Sequence, residues 1–142
     1  MRRRIIFITL AVDDLDRSVA FYRDGLGWHT EGIVARELHD EVTDAGGTIA
    51  LFALDGGLMI GLYERTNLAK DAGMPVGARS STEFSLGIPA ESRAEVDTLL
   101  AQAEAAGGTL PAAAHMRPWG IYSGYFADPD GHLWEVVWNS NA

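Results

Sequence analysis

Two glutamates in the second half of the chain, Glu83 and Glu135, are the residues whose type and position suit acid–base chemistry. Each lies in a segment typical of a β-strand, and each falls on the more polar of that strand's two faces. Two carboxylates in one apolar cavity cannot both ionise cheaply, so one would hold a proton and the pair could act as general acid and base. The alternative is that each carboxylate is hydrogen-bonded to backbone or water and does no chemistry.

Side chains that bind transition metals are scarce. The absence of cysteine excludes disulfides, thiolate nucleophiles and cysteine-ligated zinc. The spacing of the histidines does not suit a shared metal site, so we expect each to be solvated or hydrogen-bonded; they are His29, His39, His115 and His132. Two carboxylates suit Mg²⁺ with water better than Zn²⁺ or Ni²⁺. We therefore expect no resident metal, with Glu83 and Glu135 as ligands if a divalent ion binds.

The composition is that of a small globular protein. The chain has 142 residues, 47% of them hydrophobic and 22% charged, with a formal net charge of −9. An acidic surface repels phosphates, which argues against binding to nucleic acid or to anionic membranes. The short apolar run after the first arginines is followed by Asp13-Asp14-Leu15-Asp16, unlike a signal peptide or a membrane-spanning helix. We therefore expect a cytoplasmic protein.

The pattern of apolar residues predicts the same order of elements twice: strand, helix and three strands. The first series is a strand at 5–12, a helix at 15–23 and strands at 28–37, 48–54 and 58–63. The second is a strand at 82–88, a helix at 90–106 and strands at 109–114, 121–127 and 132–138. Residues 64–81 have few periodic apolar positions and are predicted to be a linker or long loop. The sequence thus predicts an α+β fold with two βαβββ modules, 5–63 and 82–138, in one domain spanning 1–142; the register of 28–47 stays open.

Alternation along the predicted strands separates a uniformly apolar face from a mixed one. The apolar face, which includes Leu10, Ile60, Phe84 and Val136, should pack beneath a helix. The mixed face combines small residues, aromatics and the two carboxylates, as the wall of a ligand cavity would. Its candidate ligand contacts are Phe7, Thr9, Met59, Gly61, Tyr63, Ser85 and Leu133. The alternative is a sheet face that simply meets water.

The segment from Met116 to Tyr122 offers two further candidate contacts. Trp119 and Tyr122 flank a glycine in a predicted loop before a strand, and aromatic rings supply apolar area and stacking for a flat ligand. Plain packing is the alternative for both rings. An arginine could pair with the carboxylates or with an anionic ligand, and strand alternation cannot choose among the candidates, which are Arg36, Arg65, Arg79 and Arg117.

Segments near the two ends of the chain resemble a known family. The opening segment contains Val12-Asp13-Asp14-Leu15 and then Ser18-x-x-Phe21-Tyr22, and the closing segment contains Asp128-Pro129-Asp130-Gly131 followed by Glu135. They resemble the first strand–helix and the last hairpin of the vicinal oxygen chelate superfamily. That group includes lactoylglutathione lyase, extradiol dioxygenases, fosfomycin-modifying enzymes and bleomycin-resistance proteins. The resemblance implies mixed, mostly antiparallel sheets curved around a cleft, a small-molecule ligand and a homodimer.

The same resemblance places the family's four metal-ligand positions on Phe7, Gly61, Glu83 and Glu135. Phe7 has no donor atom and Gly61 has no side chain. This favours a metal-free protein that binds a small, partly aromatic or apolar molecule, in the manner of antibiotic-sequestering relatives, where a Trp-Gly element like that at Trp119 precedes the last hairpin.

Two alternatives to a binding protein remain open from the sequence. One is an enzyme: a metal-dependent lyase, isomerase or dioxygenase with a degenerate site, or a metal-free acid–base catalyst that uses Glu83 and Glu135. The other is a non-catalytic dimerisation module whose cleft no longer binds a ligand. The identity of the ligand does not follow from the sequence, nor does the question of whether the cleft forms within one chain or across a dimer.

Overall fold

The computed structural model describes residues 2–80 and 84–141. The chain divides into two compact units, Met1–Ala78 and Arg79–Ala142, and the boundary falls within the segment predicted to be a linker. In the described residues each unit has one four-stranded mixed sheet and the element order βαβββ. This architecture confirms the predicted α+β fold with two tandem modules.

The first unit has the strand order β1-β4-β3-β2, with β1 parallel to β4 and the other neighbours antiparallel. One helix, α2, lies within residues 64–81, where a linker or loop was predicted. No residue of α2 is buried, so this helix has no apolar stripe that a periodicity argument could detect. The elements are β1 (Phe7–Val12), α1 (Leu15–Val19), a π-helical turn (Ala20–Gly25), β2 (Thr30–Val34), β3 (Ile49–Ala53), a 3₁₀ turn (Asp55–Gly57), β4 (Met59–Glu64) and α2 (Arg65–Ala72).

The first helix packs two neighbouring aromatic residues onto its sheet. It starts at Asp14, whose side chain accepts a hydrogen bond from the Arg17 N–H at 3.1 Å, as an N-cap does. The π-helical turn that follows is wider than an α-helical turn, and Phe21 and Tyr22 are both buried there. Their ring centroids are 4.9 Å apart, edge to face, and Tyr22 also lies 5.9 Å from Phe52 of β3. These rings are part of the core of the first unit.

The second unit has the strand order β5-β8-β7-β6, with β5 parallel to β8. The first strand starts later than the predicted 82–88, and residues 82 and 83 lie outside the described part of the chain. Phe84 precedes the strand and is 59% exposed, whereas the alternation had placed it beneath a helix. The elements are β5 (Leu86–Pro89), α3 (Arg93–Ala105), β6 (Thr109–Met116), β7 (Ile121–Ala127) and β8 (Leu133–Asn139).

Helix α3 lies close against the second sheet. It starts at Ser92, whose hydroxyl accepts from the Glu95 N–H at 3.1 Å, and it buries Val96 and Leu100. A Cβ at Gly124 of β7 would lie 2.6 Å from Leu100 Cδ1, so only glycine permits this approach. Among the described residues, no helix has the length and apolar character needed to cross a membrane.

Candidate ligand-binding site

A polar chain begins at Glu135, on the face of the second sheet opposite α3. Ser123 pairs with Val137 and Tyr125 pairs with Glu135 in the register of β7 and β8, so Ser123 and Glu135 are diagonal neighbours on one face. The fully buried Ser123 hydroxyl donates to Glu135 Oε2 at 2.7 Å. Because a hydrogen bond to a carboxylate is stronger than one between neutral groups, Ser123 fixes the orientation of Glu135.

Arg117 extends this chain from the turn that follows β6. Its Nε donates to Ser123 Oγ at 2.7 Å, and its Nη2 donates to the Ser123 carbonyl at 3.4 Å. Its guanidinium carbon also lies 5.6 Å from the centroid of the Tyr125 ring, within the range of a cation–π contact. The Ser123 hydroxyl therefore accepts from a cation and donates to an anion, and each of these bonds polarises the other.

The turn that carries Arg117 is held at both ends. The Arg117 N–H donates to the Ile121 carbonyl at 2.7 Å, and the Gly120 N–H donates to the Arg117 carbonyl at 3.2 Å. Gly120 has φ +75°, and a Cβ there would lie 2.6 Å from Asn141 Nδ2, so the position requires glycine. The Asn141 amide in turn donates to the Trp119 carbonyl at 3.0 Å. This network fixes the backbone from which the guanidinium extends.

An irregularity in β6 adds a histidine to the same face. Ala112 pairs with Tyr125 and His115 pairs with Ser123, with a register shift between the two pairs. Residues three positions apart in a regular strand point to opposite faces, and the shift brings both to one face. His115 is exposed there, beside the buried Ser123.

A recess of about 330 Å³ lies on this sheet beside the polar chain. Its lining residues are Phe84, Ser85, Pro111, Ala112, Tyr125 and Leu133. The volume is at the lower end of the range of small-molecule sites, and the lining is mainly apolar. A larger depression of about 540 Å³ at the ends of β5 and β8 has Glu91 as its one ionisable lining residue and includes no member of the polar chain.

The corresponding face of the first sheet is apolar. Phe7 pairs with Met59, Thr9 with Gly61, and Ala11 with Tyr63 across the parallel strands β1 and β4. Phe7 is 55% exposed. A second recess, of about 270 Å³, includes Leu51, Ala53 and Met59 from this face and His29, Thr30, Glu31, Gly32 and Val34 from the segment around β2. The predicted contacts Phe7, Thr9, Met59 and Gly61 thus share one sheet face.

The sequence profile of the Glyoxalase/Bleomycin resistance protein/Dioxygenase superfamily matches residues 4–136. The chain belongs to this superfamily. Both the strand–helix and the closing hairpin that carried the resemblance lie within the matched range, which confirms the family indicated by the sequence. No curated protein matches the chain.

Solved structures of superfamily members are similar to the whole chain. A glyoxalase-related enzyme from Fulvimarina pelagi is 30% identical with a TM-score of 0.80, over 97% of this chain and 89% of that one. A lactoylglutathione lyase from Agrobacterium tumefaciens is 28% identical with a TM-score of 0.65, over 96% and 94% of the two chains. A Nocardioides member of the superfamily, 24% identical with a TM-score of 0.74 over 97% and 84%, shares the fold.

The described residues at the positions that the resemblance aligns with the superfamily's metal ligands do not fit a metal ion. Gly61 is buried, and a Cβ there would lie 3.4 Å from Leu51 Cδ2, 3.6 Å from Ile49 Cδ1 and 3.6 Å from Thr9 Oγ1. Phe7 contributes a hydrocarbon ring. Of the three aligned positions that the structure describes, only Glu135 carries a donor atom, and a divalent transition metal needs at least three protein ligands.

The fourth aligned position, Glu83, lies outside the described residues. The acid–base pair of Glu83 and Glu135 therefore stays a prediction. The Glu135 carboxylate accepts a hydrogen bond from the Ser123 hydroxyl, and the choice between acid–base chemistry and a purely hydrogen-bonding role stays open as well.

The position of Tyr122 in the structure differs from the one predicted for a ligand contact. Its pairing with Trp138 places it on the face beneath α3, and only 7% of it is exposed. Its hydroxyl donates to Asp97 Oδ1 at 2.7 Å, and the guanidinium of Arg93 lies 4.5 Å from its ring centroid. The hydrogen bond to Asp97, followed by burial, raises the pKa of Tyr122. The side chain faces the helix because odd and even residues of β7 point to opposite faces.

The other predicted aromatic contacts occupy different surroundings. Trp119 is 74% exposed in the turn after β6 and does not line the recess. Tyr63 is on the predicted face, but it is almost buried and its hydroxyl donates to the Gly46 carbonyl. Burial, followed by the nearby charges of Asp71, Asp40 and Glu64, raises the pKa of Tyr63. Tyr63 therefore supports the loop between β2 and β3.

A group of potential ligand atoms closes the turn before β8. Oxygen and nitrogen atoms of Asp128, Asp130 and His132 lie within 4.8 Å of one another. Asp128 Oδ1 accepts from the N–H groups of Asp130 and His132 at 2.9 and 2.8 Å, and Asp128 Oδ2 lies 2.6 Å from His132 Nδ1. An Asp that bonds its own turn in this way is a structural element of many loops. These bonds engage both carboxylate oxygens of Asp128.

The sequence reasoning did not identify Ser123 and Tyr125, which link Glu135, Arg117 and the recess. Arg117 is one of the four candidate arginines; another of them, Arg65, belongs to the first unit and bonds Asp13 Oδ1 at 2.9 Å. The alternation along β7 separates Ser123 and Tyr125 from Tyr122 and Phe126, and this pattern is visible in the sequence. Only the β7–β8 register shows that Ser123 and Tyr125 are the pair on the same face as Glu135.

Proposed function

We propose that the protein binds a small, partly aromatic or apolar molecule on the face of its second sheet opposite α3, without the metal usual in the superfamily. The supporting observation is the recess of about 330 Å³ beside the Arg117–Ser123–Glu135 chain. Apolar walls supply contact area, and a few fixed polar groups orient the ligand. Phe84, Leu133 and Tyr125 form the apolar contacts, and Ser85 adds a hydroxyl.

Filling the recess tests this proposal. Ala112 lines the recess, whereas its neighbour Ala113 does not. We expect Ala112→Leu to weaken the binding of one- and two-ring aromatic compounds by about tenfold, roughly 1.4 kcal/mol, and Ala113→Leu to leave it unchanged. Tryptophan fluorescence quenching would measure the affinity. Binding that is absent from the wild type, or unaffected by Ala112→Leu, overturns the proposal.

Metal content tests the second half of the proposal. We expect elemental mass spectrometry of protein purified without chelators to find well under one equivalent of Mn²⁺, Ni²⁺, Zn²⁺ or Fe²⁺, because only Glu135 among the described aligned positions has a donor atom. Thermal shifts with these ions and with Mg²⁺ should be absent. One bound equivalent that disappears in Glu135→Ala would reverse this conclusion.

A metal-dependent lyase of the lactoylglutathione lyase type is the second candidate. Two observations favour it: the retained carboxylate of Glu135 and the 28% identity to a lactoylglutathione lyase over 96% of this chain. Turnover of the glutathione hemithioacetal of methylglyoxal, dependent on added metal and lost in Glu135→Gln, would establish this activity.

We also propose a homodimer, as the resemblance implies, and light scattering would measure its mass.

A further inference from the structure

We propose that the ligand of the second sheet is an aromatic carboxylate whose anionic group binds Arg117. This inference rests on the proposed function and names the class of molecule that the recess takes. The supporting observation is that the guanidinium of Arg117 lies beside an apolar recess, with Tyr125 in contact with both. Tyr125 lines the recess, and the guanidinium of Arg117 lies over its ring.

The guanidinium has hydrogen-bonding capacity left. It has five N–H donors in a planar fork, and the chain uses Nε and one N–H of Nη2, both for Ser123. Among residues 2–80 and 84–141, the N–H groups of Nη1 have no protein acceptor. Nη1 and Nη2 together form the end of the fork, which matches the two oxygens of a carboxylate.

The bonds to Ser123 also hold the fork in place before a ligand arrives. An arginine on a flexible side chain loses rotamer freedom when it binds an anion. Here the Ser123 hydroxyl and carbonyl fix Arg117 at 2.7 and 3.4 Å, and the cation–π contact with Tyr125 restrains it further. Less entropy is therefore lost on binding than at an unrestrained surface arginine.

Among the described residues, Arg117 is the cation of the polar chain on this face. Glu135 is the one acidic group of the polar chain, and the Ser123 hydroxyl bonds its Oε2. His115 lies opposite Ser123 and is exposed. The protein as a whole carries a net charge of −9 and repels anions. A carboxylate would therefore be retained only where a directed donor such as Arg117 meets it.

Three ligands of the same shape separate the contributions. 2-Naphthoate, 2-naphthamide and 2-naphthylmethylamine share a two-ring system and carry a negative, neutral or positive group at neutral pH. We expect wild-type protein to bind 2-naphthoate about tenfold or more tightly than 2-naphthamide, with the amine weakest. Isothermal titration calorimetry would measure the three affinities in the full chain.

Variants of Arg117 then assign the preference to this side chain. Arg117→Gln should remove the preference for naphthoate over naphthamide, measured as the ratio of the two affinities, and Arg117→Lys should keep part of it, because lysine retains charge without the planar fork. Arg36→Gln, an exposed arginine in the first unit, is the matched control. Circular dichroism spectra and thermal unfolding of each variant would show that its fold is intact.

Each outcome has a distinct meaning. Equal binding of naphthoate and naphthamide, or preferential binding of the amine, overturns the carboxylate inference and leaves the proposed function standing. A naphthoate preference that survives Arg117→Gln places the anion elsewhere and also overturns the inference. If none of the three compounds binds, the proposed function fails and the inference fails with it.

Discussion

At the scale of single residues, Ser123 connects the two opposite charges of the candidate site. Arg117 and Glu135 come from different elements, and the same hydroxyl accepts from one and donates to the other. A serine at a fully buried position needs both kinds of partner, because an unpaired buried hydroxyl is costly. The site and the stability of the second sheet therefore depend on the same atoms.

Ser123→Ala should lower the free energy of unfolding by about 1–3 kcal/mol, because the variant leaves hydrogen-bonding groups of Arg117 and Glu135 without their partner. Urea denaturation followed by circular dichroism would measure the change. Ser80→Ala, at an exposed position, should shift stability by less than about 0.5 kcal/mol. Equal effects of the two substitutions would contradict the role given to Ser123.

Tyr122 makes a prediction for alkaline pH. Its ordinary pKa is 10.0, and the hydrogen bond to Asp97 together with burial raises that pKa in the folded state. Because this pKa is higher in the folded state, the protonated Tyr122 hydroxyl contributes its full stabilisation of the fold below pH 10. That contribution is lost as the pH rises through the folded-state pKa. We expect the stability of the wild type to fall in this window, and Tyr122→Phe to remove part of the fall.

The tyrosinate difference spectrum between wild type and Tyr122→Phe would follow this titration directly. In Asp97→Asn the negative charge beside the hydroxyl is gone, so the Tyr122 titration should move back towards its ordinary pKa. An unmoved titration in Asp97→Asn would show that Asp97 does not raise the pKa of Tyr122.

At the scale of elements, the start of α3 combines two hydrogen bonds. The Ser92 hydroxyl accepts from the Glu95 N–H, and the Glu95 carboxylate accepts from the N–H of Glu91, just before the cap. In the usual capping box the glutamate side chain accepts from the N–H of the cap residue itself. Here it accepts from the N–H of the residue before the cap, so the arrangement is a variant of that box. It fixes where the helix begins on the sheet that carries the site on its other face.

Ser92→Ala should destabilise the protein by about 1 kcal/mol, within the range of about 0.5–2 kcal/mol for the loss of an N-cap. Ser92→Asp should keep most of the stability, because aspartate caps equally well and adds negative charge at the helix N-terminus. Thermal unfolding of the three proteins would test this. A loss in Ser92→Asp as large as that in Ser92→Ala would argue against capping as the cause.

At the scale of the whole molecule, acidic groups make the folding stability of the protein depend on pH in the acidic range. In the loop between β2 and β3, Asp40 accepts from the N–H groups of Thr43 and Val42, and these bonds lower its pKa. Asp44 contacts His39 and Lys70, and the hydrogen bond to His39 contributes most to lowering its pKa. A lowered folded-state pKa gives stability that is present above the ordinary pKa of 3.8 and lost as the pH falls through the folded-state pKa.

The melting temperature should therefore fall as the pH drops below about 4, the ordinary range of aspartate pKa values. Both aspartates are exposed, so solvent screening keeps each contribution small. Asp44→Asn should reduce the slope in this window, whereas Asp55→Asn is a control at an exposed turn. Equal slopes in wild type and Asp44→Asn would show that the loop contacts do not contribute.

The sequence predicted the repeated order of elements because burial imposes a visible period on each strand and helix. Leu10, Ile60 and Val136 are buried as the alternation required, and β7 has the predicted limits. Helix α2 escaped prediction because it buries no residue. Phe84 was misplaced because the structure starts β5 after it, so the alternation did not apply there.

The sequence by itself determined the superfamily and the two βαβββ modules, because these depend on residue types and local periodicity. Only the tertiary structure decided which residues accompany Glu135. The pairing of β7 with β8 brings Ser123 to its carboxylate, and the irregularity in β6 brings His115 to the same face. Register is a property of paired strands, and a shift of one residue reverses every side chain, so no single segment contains that information.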